Sequence, residues 1–250
     1  MPVSSASSAQ VVPRASALDG ALALAAAGWR IFPTHGIRAE RCTCDASDCT
    51  RAGKHPRLRH YCERATLDPA QIRRWWAKWP DANVAVATGE GVVALDFDPQ
   101  RTPGCDPEEL LTAQHGALPD TLSVCTGGGG WHRYYRLPAG LEARTHAELA
   151  PGVDVRGAGG YVVAPPSVHR TGVAYEWQDE GSPSAPVAAA PPWLVALVAH
   201  PRQAPAFADV ASASRALGAG PATTTPGGAV ILEREAVLIS QTIEGHRNTG

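Results

Sequence analysis

The stretch Gly91-Val92-Val93-Ala94-Leu95-Asp96-Phe97-Asp98 decides how this chain is read. It is short, rich in β-branched residues and bounded by Gly89-Glu90 before and Pro99 after, the signature of a buried strand. Side chains alternate along a strand, so Asp96 and Asp98 share one face, a strand repeat apart. Two carboxylates held together at a buried strand end repel each other unless a cation is shared between them. Hard divalent ions such as Mg2+ and Mn2+ favour oxygen ligands of this kind. A strand running out into a solvated acidic turn would carry the same pair without a metal, so the rest of the chain has to arbitrate.

Working outward, the 250 residues allow one domain with appendages. No stretch approaches the roughly 18 apolar residues needed to span a bilayer. The segment Met1 to Ala17 has no signal-peptide core, which leads to the expectation of a cytoplasmic protein with reduced cysteines. The net charge of −2 conceals an asymmetry: Arg38 to Lys78 carries +5 and the remainder −7. A basic patch on a mildly acidic protein can bind phosphates in a salt-dependent way, although a solvated face needs no ligand.

Local signals predict the element order. Ser16 and Asp19 form a capping pattern before an Ala- and Leu-rich helix that stops at Gly28. Trp29 to Pro33 reads as a strand, and a loop rich in Cys, His and Arg follows. Asp68-Pro69 opens a second helix with Ile72, Trp75, Trp76 and Trp79 on its apolar side. Strands are predicted at Asn83 to Ala87, Gly91 to Phe97, Thr121 to Thr126, Trp131 to Leu137, Gly152 to Arg156, Tyr161 to Ala164 and Val173 to Trp177. Helices are predicted from Asp106 to Gly116 and from Pro192 to Ala199. The expected organisation is a disordered segment 1–15, a domain 16–200 with a metal-binding loop 36–64, a flexible linker 201–229, and the start of a truncated helical module at 230–250.

Four constellations could carry chemistry. Cys42, Cys44, Cys49 and His55 match the ligand number and type of a closed structural Zn2+ site. Free surface thiols and a redox pair are the other readings, and Cys62 is a possible substitute ligand. Gly127, Gly128, Gly129 and Gly130 would let backbone amides approach an anion, with His132 emerging on the next strand. This is not a P-loop, since the Gly-Lys-Ser/Thr ending is missing. Asp154 and Arg156 share a face of a short strand, where the fixed fork of Arg suits a triphosphate. Ser167 and His169 follow Pro165-Pro166 and could touch a ligand or simply form a corner.

In this order, these elements resemble the bifunctional DNA primase/polymerase N-terminal domain (prim-pol) of the archaeo-eukaryotic primase superfamily. The resemblance runs from about Leu18 to Ala199. It rests on the strand ending in Asp96 and Asp98, the Gly-rich segment ending in His132, and the run from Asp154 through Pro165-Pro166-Ser167. Gly53-Lys54-His55-Pro56 after the cysteines is similar to members from bacterial mobile elements and phages. The resemblance implies an α+β fold: a core related to the RNA-recognition fold, with an antiparallel-rich sheet backed by helices, an N-terminal α/β unit and a zinc-binding loop. It implies that Asp96, Asp98 and Asp154 hold two Mg2+ or Mn2+ ions, while Gly127 to Gly130, His132, Arg156, Ser167 and His169 bind the nucleotide. It also implies template-directed nucleotidyl transfer, as DNA primase or DNA polymerase, in replication of a plasmid, phage or other mobile element. The partners implied are a DNA template and primer, nucleoside triphosphates and a replicative helicase in cis or trans, with no membrane. The alternatives are a non-catalytic zinc-dependent DNA-binding module for replication initiation, or a metal-dependent nuclease on a related fold. A nuclease would want a Tyr nucleophile or paired His ligands beside the acids, and only Tyr134 and Tyr135 answer to that.

Overall fold

Helix α1 (Ala17–Ala26) begins where the sequence predicts, because the Ser16 hydroxyl accepts from the Asp19 amide and donates to the Asp19 carboxylate. Strand β1 (Ile31–Thr34) follows, then a small hairpin of β2 (Ile37–Arg38) and β3 (Arg41–Cys42), and a single helical turn, α2 (Tyr61–Arg64). Helix α3 (Pro69–Lys78) starts at Asp68, whose carboxylate accepts from the Ala70 and Gln71 amides. Strands β4 (Asn83–Ala87) and β5 (Val92–Phe97) precede a 3-10 turn (Pro99–Arg101) and helix α4 (Pro107–His115), capped by Asp106. The chain continues through β6 (Ser123–Cys125), β7 (Trp131–Arg136), β8 (His146–Ala150), β9 (Val153–Arg156), β10 (Tyr161–Ala164), β11 (Glu176–Trp177) and β12 (Ala188–Ala189) to α5 (Pro192–Ala199). The computed structural model describes residues 15–178 and 181–199. The linker at 201–229, the module start at 230–250 and all but one residue of the segment 1–15 lie outside them.

Two larger sheets result. A three-stranded sheet has the order β1-β4-β10, and a seven-stranded sheet runs β11-β6-β7-β5-β9-β8, with β12 pairing to β7. All pairings are antiparallel except β12 on β7. The expected α+β class and antiparallel-rich sheet are therefore what the chain adopts.

The pleat of β5 sorts its side chains between two cores. Val93, Leu95 and Phe97 face a core shared with Tyr135, Val153, Val155, Leu111 of α4 and Leu194 of α5. Ala94 faces the opposite way, into a core shared with Tyr134, the small-sheet residues Ile31, Phe32, Val84 and Val86, and Leu24, Ile72, Trp75 and Trp76 of α1 and α3. Trp75 and Trp76 are thus core residues, as their helical spacing suggests, and offer no stacking platform for bases.

Three features depart from the expected map. Strand β8 is absent from it because His-Ala-Glu-Leu-Ala has little β-propensity. It forms an irregular edge against β9, and Glu148 takes a positive φ of 59°. The predicted strands at Thr121 and Val173 shrink to β6 and β11. The metal-loop segment, read from the sequence only as a loop, contains β2, β3 and α2 and docks on β1 and β4. Asn83, only 4% exposed, carries that docking: its side-chain nitrogen donates to the carbonyls of Gly53 and Val168, and its side-chain oxygen accepts from the Val168 amide.

Asn83→Ala strands these buried partners and is expected to lower unfolding free energy by about 2–4 kcal/mol in urea melts.

Candidate active site

Antiparallel register puts three charged or polar residues in one row. Asp96 on β5 stands opposite His132 on β7 and opposite Asp154 on β9. Asp96 and His132 lie two residues from Ala94 and Tyr134, which face the small sheet, and Asp154 alternates with Val153 and Val155 of the opposite core, so all three point into the cleft. Arg156, two residues beyond Asp154, reaches back between the acids. Its Nη2 donates to Asp96 Oδ2 and to Asp154 Oδ2, each at 3.0 Å. His132 Nε2 lies 3.5 Å from Asp96 Oδ1. On its other side Asp154 accepts from Arg101 Nη1 at 2.8 Å and from the Glu148 amide at 2.9 Å.

The electrostatics follow from these contacts. Burial pushes the Asp154 carboxyl up, but the Arg101 hydrogen bond, the Glu148 amide and Arg156 outweigh it, so its pKa falls below the ordinary carboxylate value. Burial lowers the pKa of His132, and the cations Lys54 and Arg156 add to that against the opposing pull of Asp96. His169 is lowered by burial, Lys54 and Arg170. Both imidazoles are therefore neutral in the folded protein near pH 7.

Asp98 stands at the mouth rather than in the row. Its amide donates to Gly152 O, and its Oδ1 accepts from the Gln100 amide to cap the 3-10 turn that carries Arg101. Asp96, Asp98, Asp154, His132, His169 and Arg156 all line one cleft of about 750 Å³. Ser167 does not. It is 1% exposed, and its hydroxyl accepts from the Val84 amide and faces the Val84 carbonyl at 3.3 Å, which clamps the loop after β10 to β4.

The glycine loop spends part of its backbone within its own turn. The Gly129 amide donates to Thr126 O and the Gly130 amide to Thr126 Oγ1, so both are spent inside the turn. A Cβ on Gly127 would sit on the Val173 carbonyl oxygen, and one on Gly130 on the Phe97 carbonyl oxygen. These two glycines permit close backbone packing, Gly129 supplies a φ of +88°, and Gly128 and Gly130 line the cleft.

Of the tyrosines a nuclease would want, Tyr134 is almost fully buried, with its hydroxyl unpaired among the described residues, and Tyr135 faces the opposite core.

The cysteines and histidine converge as well. One ligand atom each from Cys42, Cys44, Cys49 and His55 lies within 4.8 Å of the others. His55 Nε2 is 3.3 Å from Cys42 Sγ and 3.6 Å from Cys49 Sγ. A tetrahedron with ordinary zinc bond lengths has N–S edges of about 3.6 Å, so the donor set and its spacing could hold Zn2+. Cys62 stands apart, its thiol facing Gly160 O. Burial raises the Cys49 thiol to about 11, and a bound metal would require it deprotonated.

A family model described as bifunctional DNA primase/polymerase, N-terminal (Prim-Pol), matches residues 21–193. The chain belongs to the Prim-Pol family. No curated protein matches it. Membership supports a DNA primase/polymerase type of function, with DNA and nucleotides as substrates, and the mixed α/β architecture with antiparallel sheets is consistent with a primase-like fold. Among its described residues, no helix of the Prim-Pol domain is long and apolar enough to cross a membrane.

Sequence reasoning missed Arg101, Arg51, Lys54 and Tyr161, which line the cleft of the Prim-Pol domain from distant segments. The one signal for Lys54 was its place in Gly53-Lys54-His55-Pro56.

Gly127→Ala is expected to cost about 1–3 kcal/mol through overpacking. Gly129→Ala, with open space but a positive φ, should cost only about 1 kcal/mol. Chemical denaturation of the two variants checks the order. The unfolded chain binds more protons at its free imidazoles than the folded chain does at His132 and His169. Stability should therefore fall as pH drops below about 6.5. His132→Gln should flatten that decline between pH 7 and 5 in parallel melts.

Proposed function

We propose that this chain is a template-directed nucleotidyltransferase. In this reading the 3′-hydroxyl of a primer strand, or of a first nucleotide, attacks the α-phosphorus of a nucleoside triphosphate. A phosphodiester bond forms and pyrophosphate leaves. The single observation that carries the reading is the cross-strand row of His132, Asp96 and Asp154 inside a cleft of nucleotide size.

The oxygen-only donor set of Asp96, Asp98 and Asp154 suits hard divalent ions, and these residues would hold Mg2+ or Mn2+. Bound there, such ions would activate the attacking hydroxyl and stabilise charge on the leaving pyrophosphate. The protein's own groups do the rest. Arg156 neutralises the acids and is free to turn toward a phosphate, being about a third exposed. His132, neutral and largely buried, lines the cleft beside Asp96, where its imidazole would meet a nucleotide phosphate or sugar. Arg101 and the Glu148 amide of the edge strand fix Asp154 Oδ1, which leaves Oδ2 beside Arg156. The Cys42, Cys44, Cys49 and His55 cluster binds one structural Zn2+. Replication of a mobile element, with a helicase acting in cis or trans, is the setting that the resemblance to phage and plasmid members suggests.

Asp96→Asn and Asp154→Asn should each reduce primer extension by about 10³-fold or more, since each removes several kcal/mol of charge stabilisation. Circular dichroism should stay that of the parent. Extension and de novo synthesis are measured with both nucleotide sets in Mg2+ and in Mn2+. Wild-type-like incorporation by the double variant would sink the reading.

A further inference from the structure

Between the clustered ligands Cys49 and His55 lie five residues, and Thr50, Arg51, Ala52 and Lys54 all line the cleft. The segment is pinned at several points. Its ends belong to the Cys/His cluster. Its middle is held by the Gly53 carbonyl, which accepts from Asn83 Nδ2 at 2.9 Å and from Thr34 Oγ1 at 3.3 Å. Gly53 has a φ of +74°, and a Cβ there would press on Ile37 and Asn83. Its cleft-facing side is held by Tyr161 of β10, whose hydroxyl accepts from Arg51 Nη2 at 2.7 Å and donates to Lys54 O at 2.9 Å.

So much anchoring fixes two cationic residues in place while leaving their charge unspent. Arg101 and Arg156 are already engaged with Asp154 and Asp96. Arg51 and Lys54 have no carboxylate partner among the described residues. Lys54 lines the cleft together with His132 and His169. Unpaired cations facing a polar pocket select an anion. The choice lies between the phosphates of a strand and the polyphosphate of a nucleotide. A strand offers one charge per phosphate along an extended groove. A triphosphate concentrates about four charges within the reach of two neighbouring side chains, inside a pocket of single-nucleotide size.

We propose that the segment 50–54 is the triphosphate-binding wall of this cleft, with Arg51 and Lys54 as the phosphate ligands and Tyr161 as the residue that positions them. The proposal rests on the nucleotidyl-transfer reading and adds a substrate-binding role to the loop between the cluster ligands.

The test is equilibrium binding of a fluorescent deoxyribonucleoside triphosphate to the full chain in Mg2+ without template. The matching monophosphate and a single-stranded oligonucleotide are measured in parallel, together with the zinc content of every variant. Arg51→Ala and Lys54→Ala are each expected to weaken triphosphate binding about 10- to 100-fold, the usual range for losing a charge-assisted contact. Monophosphate and oligonucleotide affinities should change less than about twofold, zinc content should match the parent, and Lys54→Arg should restore most of the loss. Tyr161→Phe keeps both cations and should still raise KM for the triphosphate with little change in kcat. Unchanged triphosphate affinity in both alanine variants of an enzyme that extends primers overturns this inference alone. A loss shared equally by the oligonucleotide overturns it in favour of a strand-binding wall. Failure of the parent protein to bind triphosphate or extend a primer removes the underlying reading, and this inference with it.

Discussion

The register of three antiparallel strands is the constraint on which the cleft depends. Asp96, His132 and Asp154 meet because β7, β5 and β9 pair with these positions opposite one another. A slip of one residue on either neighbour would bring Trp131 or Arg133, or Val153 or Val155, beside Asp96. The same slip would turn Val153 and Val155 out of the core under α4 and α5 and drive a charge into it. The apolar face of the sheet therefore holds the polar face in alignment. Glu108 of α4 adds a clamp from below, where one carboxylate oxygen accepts from both Trp131 Nε1 and Arg133 Nε at 2.8 Å.

Much of this was legible from local signals. Ser16, Asp68 and Asp106 marked helix starts because a cap is a contact between near neighbours. The β-branched runs marked β4 and β5, and the Cys and His spacing marked the cluster. What escaped notice depended on partners far away in the chain. Arg101 looks like any loop arginine until the pairing of β5 with β9 carries Asp154 to it. Ser167 looked like a ligand contact because nothing local shows that its hydroxyl bridges the backbone of a strand more than eighty residues earlier. The glycine run suggested an anion cradle, whereas two of its amides are consumed by Thr126 and two of its members make room for neighbouring carbonyls. Strand β8 was invisible because edge pairing, and not propensity, makes it.

The cysteine-rich segment illustrates how a stretch too polar to bury itself can still be well placed. Its few apolar anchors, Ile37, Cys42 and Leu58, are supplemented by hydrogen bonds from Asn83 and Thr34, both buried. Arg57, half-buried, and Lys78 lie over the ring of Trp79, at 5.5 and 4.9 Å from its centroid. The +5 segment seen in the sequence is thus divided between an outer face and one wall of the cleft.

The guanidinium of Arg156, lodged between Asp96 and Asp154, has a consequence for how the molecule is made. Carboxylates brought side by side would ordinarily make the last stage of assembly uphill until a divalent ion arrived. An internal counter-ion offsets that repulsion, so the sheet can close without a divalent ion between these two acids.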